Sequence, residues 1–176
     1  VTGAQILSIE RYGKLLVIHL SDDQALSIHL KMTGRLTVLE AEESVPPHNH
    51  IVFVIKGESN LAPTKRLTFA DMRKFGFVAL HTKDQILSLP FIRKLGKEPL
   101  KDLTFEDFKN MLKRSSRAIK VLLLDQSKIA GIGNIYDCEA LWIAKIRPQT
   151  TANRLKKNQV EKLFNAINEV LKEGIE

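Results

Sequence analysis

Apolar residues in the first half of the chain come in short runs of four to six, rich in Val, Ile, Leu, Phe and Thr, with polar and turn-forming residues between them. Runs at residues 6–9, 15–20, 25–30, 35–39, 51–55, 66–69 and 77–81 predict β-strands. Ser21-Asp22-Asp23, Pro46-Pro47 and Lys56-Gly57 supply breaks. Several short strands at this spacing indicate an antiparallel sandwich or barrel, and any function then sits in its loops.

After His81 the spacing becomes helical. Thr104 is placed to cap a helix with Asp107 three positions on, and Phe105, Phe108, Met111 and Leu112 make its buried face. Ile119, Leu122 and Leu123, with polar Lys120 and Gln126, form a short helix. A further helix from Ile135 is expected to end near Arg147-Pro148. A last one, starting at Thr150 or Thr151, carries the stripe Val160, Leu163, Phe164, Ile167, Val170 and Leu171 as core, with Lys156, Lys157 and Glu161 outside. L-G-K-E-P-L at 95–100 reads as a connection. The predicted class is α+β: a β-sandwich or barrel-like half over 1–94, a linker over 95–103 and a helical domain over 104–176. No internal repeat or low-complexity tract interrupts it.

Between the second and third of these helices, Gly131 and Gly133 bracket Ile132. Without side chains the backbone there can turn through positive φ and approach a phosphate closely. Asn134 reads as an N-cap, with Asp137 and Glu139 in the first turn, so unpaired N–H groups and the positive helix end face the turn. That arrangement binds phosphate. An ordinary helix-to-helix glycine turn fits the residue types equally well, whereas a dinucleotide fingerprint does not, because Tyr136 stands where its third glycine belongs.

Lys and Arg number 27 against 20 Asp and Glu, a net charge of +7, which favours a polyanionic partner, nucleic acid or an acidic membrane face, over an uncharged one. The single cysteine, Cys138, excludes a disulfide framework, points to an intracellular compartment, and is read as a packing residue. No apolar run has the length of a membrane span and the N-terminus lacks a signal-peptide layout, so a soluble, cytoplasmic protein is expected. His48 and His50 have H-x-H spacing, but His19, His29 and His81 fall in separate strands and Cys138 in a helix, so no metal site is expected.

The run from Leu122 to Leu141, L-L-L-D-Q-S-K-I-A-G-I-G-N-I-Y-D-C-E-A-L, resembles the helix-two-turn-helix signature of the formamidopyrimidine-DNA glycosylase and endonuclease VIII family. Further resemblances run along the whole chain: E-R-Y-G-K at 10–14, H-L-K-M-T-G at 29–34, P-P-H-N-H-I at 46–51, D-M-R-K-F-G at 71–76 and L-G-K-E-P-L at 95–100. The resemblance implies a helix-two-turn-helix DNA-binding domain following the β-rich half. Its partner would be double-stranded DNA containing oxidised bases or abasic sites, bound by a monomer of a bacterial, nucleoid-associated enzyme.

By the same resemblance, Lys14 lies near the damaged nucleotide and assists strand cleavage. Met32, Arg73 and Phe75 fill the void left by an everted base; an apolar wedge and a base-edge cation suit that task. His48 and Lys74 contact DNA, Lys74 as a point charge where the family has arginine. Gly131, Gly133, Asn134 and Tyr136 form the phosphate-binding turn, and Lys113, Arg114, Arg117, Lys120 and Lys128 a basic footprint beside it. Ser115 stands where some members carry a DNA-contacting lysine, and Arg114 or Arg117 substitutes. On residue type alone, Lys14 is equally an exposed strand-end lysine, Met32 a core residue, and Phe75 a ring packed under the sheet.

The family's activity is base excision: eversion of an oxidised purine, attack of an N-terminal proline amine on C1′, a Schiff base, and β/δ-elimination. The family's P-E-L-P-E start has no counterpart before Val1, and its four-cysteine zinc finger none after Glu176. The chain is therefore expected to be an internal fragment that binds damaged duplex without excising, with the zinc ion in the absent finger and no cofactor within the chain. The alternatives are an endonuclease VIII-like enzyme for oxidised pyrimidines and a non-catalytic nucleic-acid-binding module.

Overall fold

The structure, a computed structural model, describes residues 1–57 and 64–175. The chain divides into two compact units, Val1–Ile86 and Leu87–Glu176.

The first unit holds β1 (Ile6–Tyr12), β2 (Leu15–Leu20), β3 (Gln24–His29), β4 (Gly34–Glu40), β5 (Asn49–Ile55), β6 (Lys65–Asp71) and β7 (Phe77–Thr82). Each expected run of apolar residues is one of these strands. They form two antiparallel sheets, ordered β1-β2-β3-β7 and β4-β6-β5. Ile18, Leu20, Leu26 and Ile28 of the first sheet meet Phe69 of the second, with Leu36, Ile51, Phe53 and Leu67 partly buried around them. Alternation in β5 shows why: Ile51 and Phe53 face inward while Val52 and Val54 face out. In β2, Leu15 and Val17 are buried as well, so that strand is covered on both faces. The sandwich expectation holds.

A short helix α1 (Lys83–Ser88) straddles the division. The second unit then holds α2 (Pro90–Arg93), α3 (Phe105–Lys113), α4 (Ile119–Leu123), α5 (Asn134–Ile143), a 3-10 turn at Ala152–Arg154, and α6 (Lys157–Glu173). Its core joins Phe108 and Leu112 of α3, Ile119, Leu122 and Leu123 of α4, Leu141 of α5, and Leu163, Ile167 and Val170 of α6. Phe164 seats its ring 5.5 Å from both Phe105 and Phe108. Thr104 caps α3 as expected, accepting from the Asp107 amide. The 95–103 stretch, expected as a linker, is packed into this unit: Lys97 bridges to Ile129, the Gly96 amide donates to the Gln126 carbonyl, and Glu98 is buried.

Two helix ends differ from expectation. α5 stops at Ile143, because Lys145 takes a left-handed φ of 55° and the amides of Lys145 and Ile146 fold back onto the carbonyls of Trp142 and Leu141. This Schellman closure has lysine where glycine usually signals it. α6 starts at Lys157 rather than at Thr150 or Thr151. The backbone of Thr150 and Thr151 is already committed, to the Ile119 amide and to a bridge with Ala118.

Candidate nucleic-acid interface

In the first unit, the residues with chemistry gather around Asp71, the last residue of β6. The residue is 1% exposed, and its side chain accepts from the Thr33 hydroxyl, from the Arg73 amide at 3.2 Å and from the Gly76 amide at 2.7 Å. These donors hold its carboxyl at a pKa of about 2, chiefly through Thr33 and then Gly76. The Asp71 backbone amide donates to the His48 carbonyl at 3.0 Å and its carbonyl meets Nε2 of His50 at 2.8 Å. One residue thus pins three loops: 30–33, 46–48 and 72–76. Gly76 makes the last possible, since a Cβ there would lie 2.8 Å from the His29 carbonyl oxygen and from the Phe69 ring.

On this base stand Met32 and Phe75, 72% and 56% exposed. Arg73 lies between them, with Nη1 3.3 Å from the Met32 sulfur and its guanidinium carbon 4.8 Å from the Phe75 centroid. Met32 is not core and Phe75 is not under the sheet. Lys74 is exposed with a left-handed φ of 57°, its amide on the Asp71 carbonyl at 3.3 Å. His48, also exposed, has a φ of 59°. Lys14 sits in the β1–β2 turn, exposed, with its pKa lowered by partial desolvation. His29 is held below its ordinary pKa by burial and by the charges of Lys31 and Lys14. Its Nδ1 accepts from the Lys31 amide at 3.0 Å.

In the second unit, the segment between α4 and α5 is organised by Gln126. Its Oε1 accepts from the Gly131 amide at 2.9 Å, and its Nε2 donates to the carbonyls of Ile132 at 3.0 Å and Leu124 at 3.2 Å. Gly131 has the expected positive φ, 92°. Gly133 does not: at φ −107° and ψ 172° it is extended and is itself the N-cap of α5, in place of Asn134, which is the first helical residue. No side chain caps this helix, so its first amides are unclaimed by a capping side chain. Only Asp137, not Glu139, lies in the first turn.

The inward face of α5 is Asp137, Ala140 and Leu141, continued by Ala144 at its C-cap, spaced by three and four. That phase puts Asp137 in the core and turns Cys138 outward, so Cys138 is not the packing residue the sequence suggested. Burial raises the Asp137 pKa to about 6, against a smaller lowering by Lys120. Lys120 faces this pair, with Nζ 3.0 Å from the Cys138 sulfur and 4.0 Å from Asp137 Oδ2. Arg117 is tied to Asp125 at 2.6 Å, while Arg114 is exposed at the C-cap of α3. Tyr136 is half-buried against the helical core, with its hydroxyl against Gly174.

The geometry therefore gathers Met32, Arg73, Phe75, Lys74 and His48 in one unit, and Gly131, Gly133 and Asn134 in the other. It draws Arg117, Lys120 and Tyr136 into internal contacts. Thr33, Asp71 and Gln126 went unassigned from sequence; their signal was a polar residue at a strand end or beside the glycine turn. Among the described residues no three His, Cys, Asp or Glu side chains are grouped to hold a metal ion, and no helix is long and apolar enough to cross a membrane.

The formamidopyrimidine-DNA glycosylase N-terminal domain matches residues 1–78 and the formamidopyrimidine-DNA glycosylase H2TH domain matches 95–176. The formamidopyrimidine-DNA glycosylases of Pelotomaculum thermopropionicum and Heliobacterium modesticaldum are each 42% identical, over 100% and 99% of this chain. The chain spans 62% of the length of both relatives. Among solved structures, Lactococcus lactis Fpg in complex with abasic-site DNA superposes with a TM-score of 0.85 at 35% identity, over 99% of this chain and 62% of that one. The same enzyme with FAPY-dG DNA gives 0.84 at 35% identity, over 99% and 63%. With both domains matched and the paired sheets and helical unit in place, the chain belongs to the formamidopyrimidine-DNA glycosylase family.

Proposed function

We propose that the chain is the lesion-reading and duplex-holding part of a base-excision repair glycosylase with abasic-site lyase activity. The lesions of that enzyme are oxidised purines, and the protein works as a monomer in the bacterial cytoplasm on double-stranded DNA. The observation that carries the reading is the exposed trio Met32, Arg73 and Phe75, in which Arg73 touches each of the other two, raised from two loops and fixed at their base by Asp71. An exposed thioether and ring are costly to leave in water and suited to enter a base stack from which a nucleotide has swung out. Arg73 supplies the planar donors that take the edge of the unpaired base. Lys74 and His48, beside the trio, take flanking phosphates.

The second unit supplies the other grip. The uncapped amides from Gly133 onward, at the positive end of α5, receive a backbone phosphate. Arg114 is better placed than Arg117 for the contact that Ser115 lacks, because Arg117 is neutralised by Asp125. Lys120 supports the turn from behind, through Cys138 and Asp137, and Tyr136 through packing. Lys14, with a lowered pKa, acts on the phosphate or leaving oxygen next to the lesion.

Fluorescence anisotropy on a duplex with a stable abasic analogue, against the same duplex intact, tests this reading. It predicts tighter binding to the abasic duplex. Equal affinity for the two would remove the lesion-reading assignment and leave only phosphate binding.

A further inference from the structure

Cys138 is the only cysteine in the 176 residues, and α5 carries it outward into solvent. The sulfur is not isolated. Lys120 reaches across from α4 to place Nζ 3.0 Å from Sγ, and the side chain of that lysine is only 31% exposed. The same ammonium lies 4.0 Å from Oδ2 of Asp137, whose side chain is 0% exposed. Among the described residues neither Asp137 oxygen has a hydrogen-bond partner. A carboxylate buried in this way is normally fully hydrogen-bonded, so its orientation toward Lys120 calls for a reason. It gives the lysine one place to be: withdrawing the ammonium would strand a charge in the core.

We propose that Cys138 is a peroxide-reactive thiol, with Lys120 as the group that activates it and Asp137 as the residue that positions Lys120. The nucleophile of a cysteine is its sulfur, and a lysine ammonium at hydrogen-bond distance is placed to hand a proton to the oxygen that leaves as the sulfur attacks. The uncapped N-terminus of α5, one turn away, adds positive potential at the sulfur. Exposure on one side and a fixed cation on the other is the environment of cysteines that oxidise selectively. With hydrogen peroxide as oxidant, the thiolate sulfur attacks one peroxide oxygen. The S–O bond forms as the O–O bond breaks, so that sulfur gives up two electrons and peroxide takes them. The departing hydroxide collects a proton from the Lys120 ammonium and leaves as water, and the amine regains a proton from solvent. The product is a sulfenic acid on Cys138, still within reach of Lys120. With no second cysteine in these residues, it passes to a mixed disulfide only when a small thiol is added, and reductant reverses that step.

The test is the rate of dimedone labelling of Cys138 after addition of hydrogen peroxide at pH 7, read by intact mass. The folded chain is compared with a peptide spanning residues 134–142, which has the same sequence around the thiol but no Lys120. The folded chain should label about ten-fold faster than the peptide. Lys120→Gln should bring the rate down to that of the peptide, and Lys120→Arg should keep most of it. Asp137→Asn should slow the wild-type chain yet change nothing in a Lys120→Gln background, whereas a residue with a merely structural role would slow both. A folded chain that labels no faster than the peptide overturns the proposal without reference to any variant. So does a Lys120→Gln chain, folded by circular dichroism, that keeps the wild-type rate.

Discussion

Thr33 donates its hydroxyl to Oδ1 of Asp71, 38 residues away in the chain, and this bond joins the loop that carries Met32 to the loop that carries Arg73 and Phe75. The two residues are neighbours because β4 and β6 pair with Gly34 opposite Asp71. Sheet register, not loop sequence, brings the exposed trio together.

That carboxylate predicts a pH response. Its pKa is about 2 in the folded chain against an ordinary 3.8, so the folded state favours the charged form. The stability it contributes is complete above about pH 4 and is lost as pH falls toward 2. Urea unfolding midpoints across this range should fall in the wild type and fall less in Asp71→Asn. An amide there would also set an N–H against the Gly76 or Arg73 donors, so the variant should be less stable than wild type at pH 7 and bind abasic duplex more weakly. Identical pH slopes in the two proteins would contradict the assignment.

Asp137 gives the opposite sign. Its folded pKa, near 6, is raised, so the folded state prefers the neutral acid and stability falls as pH rises from about 4 to about 6, then levels. The facing charge that opposes this is Lys120. Asp137→Asn should be flat over that window and more stable above it, by on the order of 1 to 3 kcal/mol. A wild-type midpoint constant from pH 4 to 7 would count against the burial described here.

At the turn between α4 and α5 the two glycines should behave differently. Gly131 has a φ of 92°, where an L side chain is strained, so Gly131→Ala should cost roughly 1 to 2 kcal/mol. Gly133 is extended, and Gly133→Ser should keep stability within a few tenths of a kcal/mol, by supplying a cap, while weakening duplex binding through loss of close approach. Thermal unfolding and anisotropy on the same samples separate the two effects. A stable, full-affinity Gly131→Ala would contradict the turn geometry.

Gln126 bridges the Gly131 amide to the carbonyls of Ile132 and Leu124. Gln126→Ala should destabilise by about 2 kcal/mol, since each lost bond leaves a partly buried backbone group without its partner. The loss should appear in the second unit, as faster amide exchange at Gly131 and in α5, with the β-sheets unaffected. Uniform protection loss across both units would argue against a local role.

These residues also mark what was legible in the sequence. Alternation is a local property, so every strand of the first unit could be read from its own residues, as could the Thr104 cap and the Val160 to Val170 stripe. The sheet partners depend on register between distant segments, and that hid the Thr33–Asp71 clamp. The phase of α5 hinges on whether Gly133 or Asn134 is the cap, and one residue of offset exchanges Asp137 for Cys138 in the core. The end of α5 rests on a left-handed lysine that carries no sequence signal, and the start of α6 on backbone pairing of Thr150 and Thr151 with the start of α4. Arg117 and Lys120 are cations by type, but their neutralising partners, Asp125 and Asp137, only meet them in the fold.

The most direct measurement is the ratio of affinities for abasic and intact duplex, taken across a salt series for the wild-type chain and for a Met32→Ala, Arg73→Ala, Phe75→Ala triple variant. The predicted result is a wild-type preference for the abasic duplex that persists as salt weakens both complexes, and its collapse toward unity in the triple variant with a nearly unchanged salt slope, because the phosphate contacts remain. A triple variant that keeps the preference, or a wild-type chain that shows none, would contradict the assignment of lesion reading to Met32, Arg73 and Phe75.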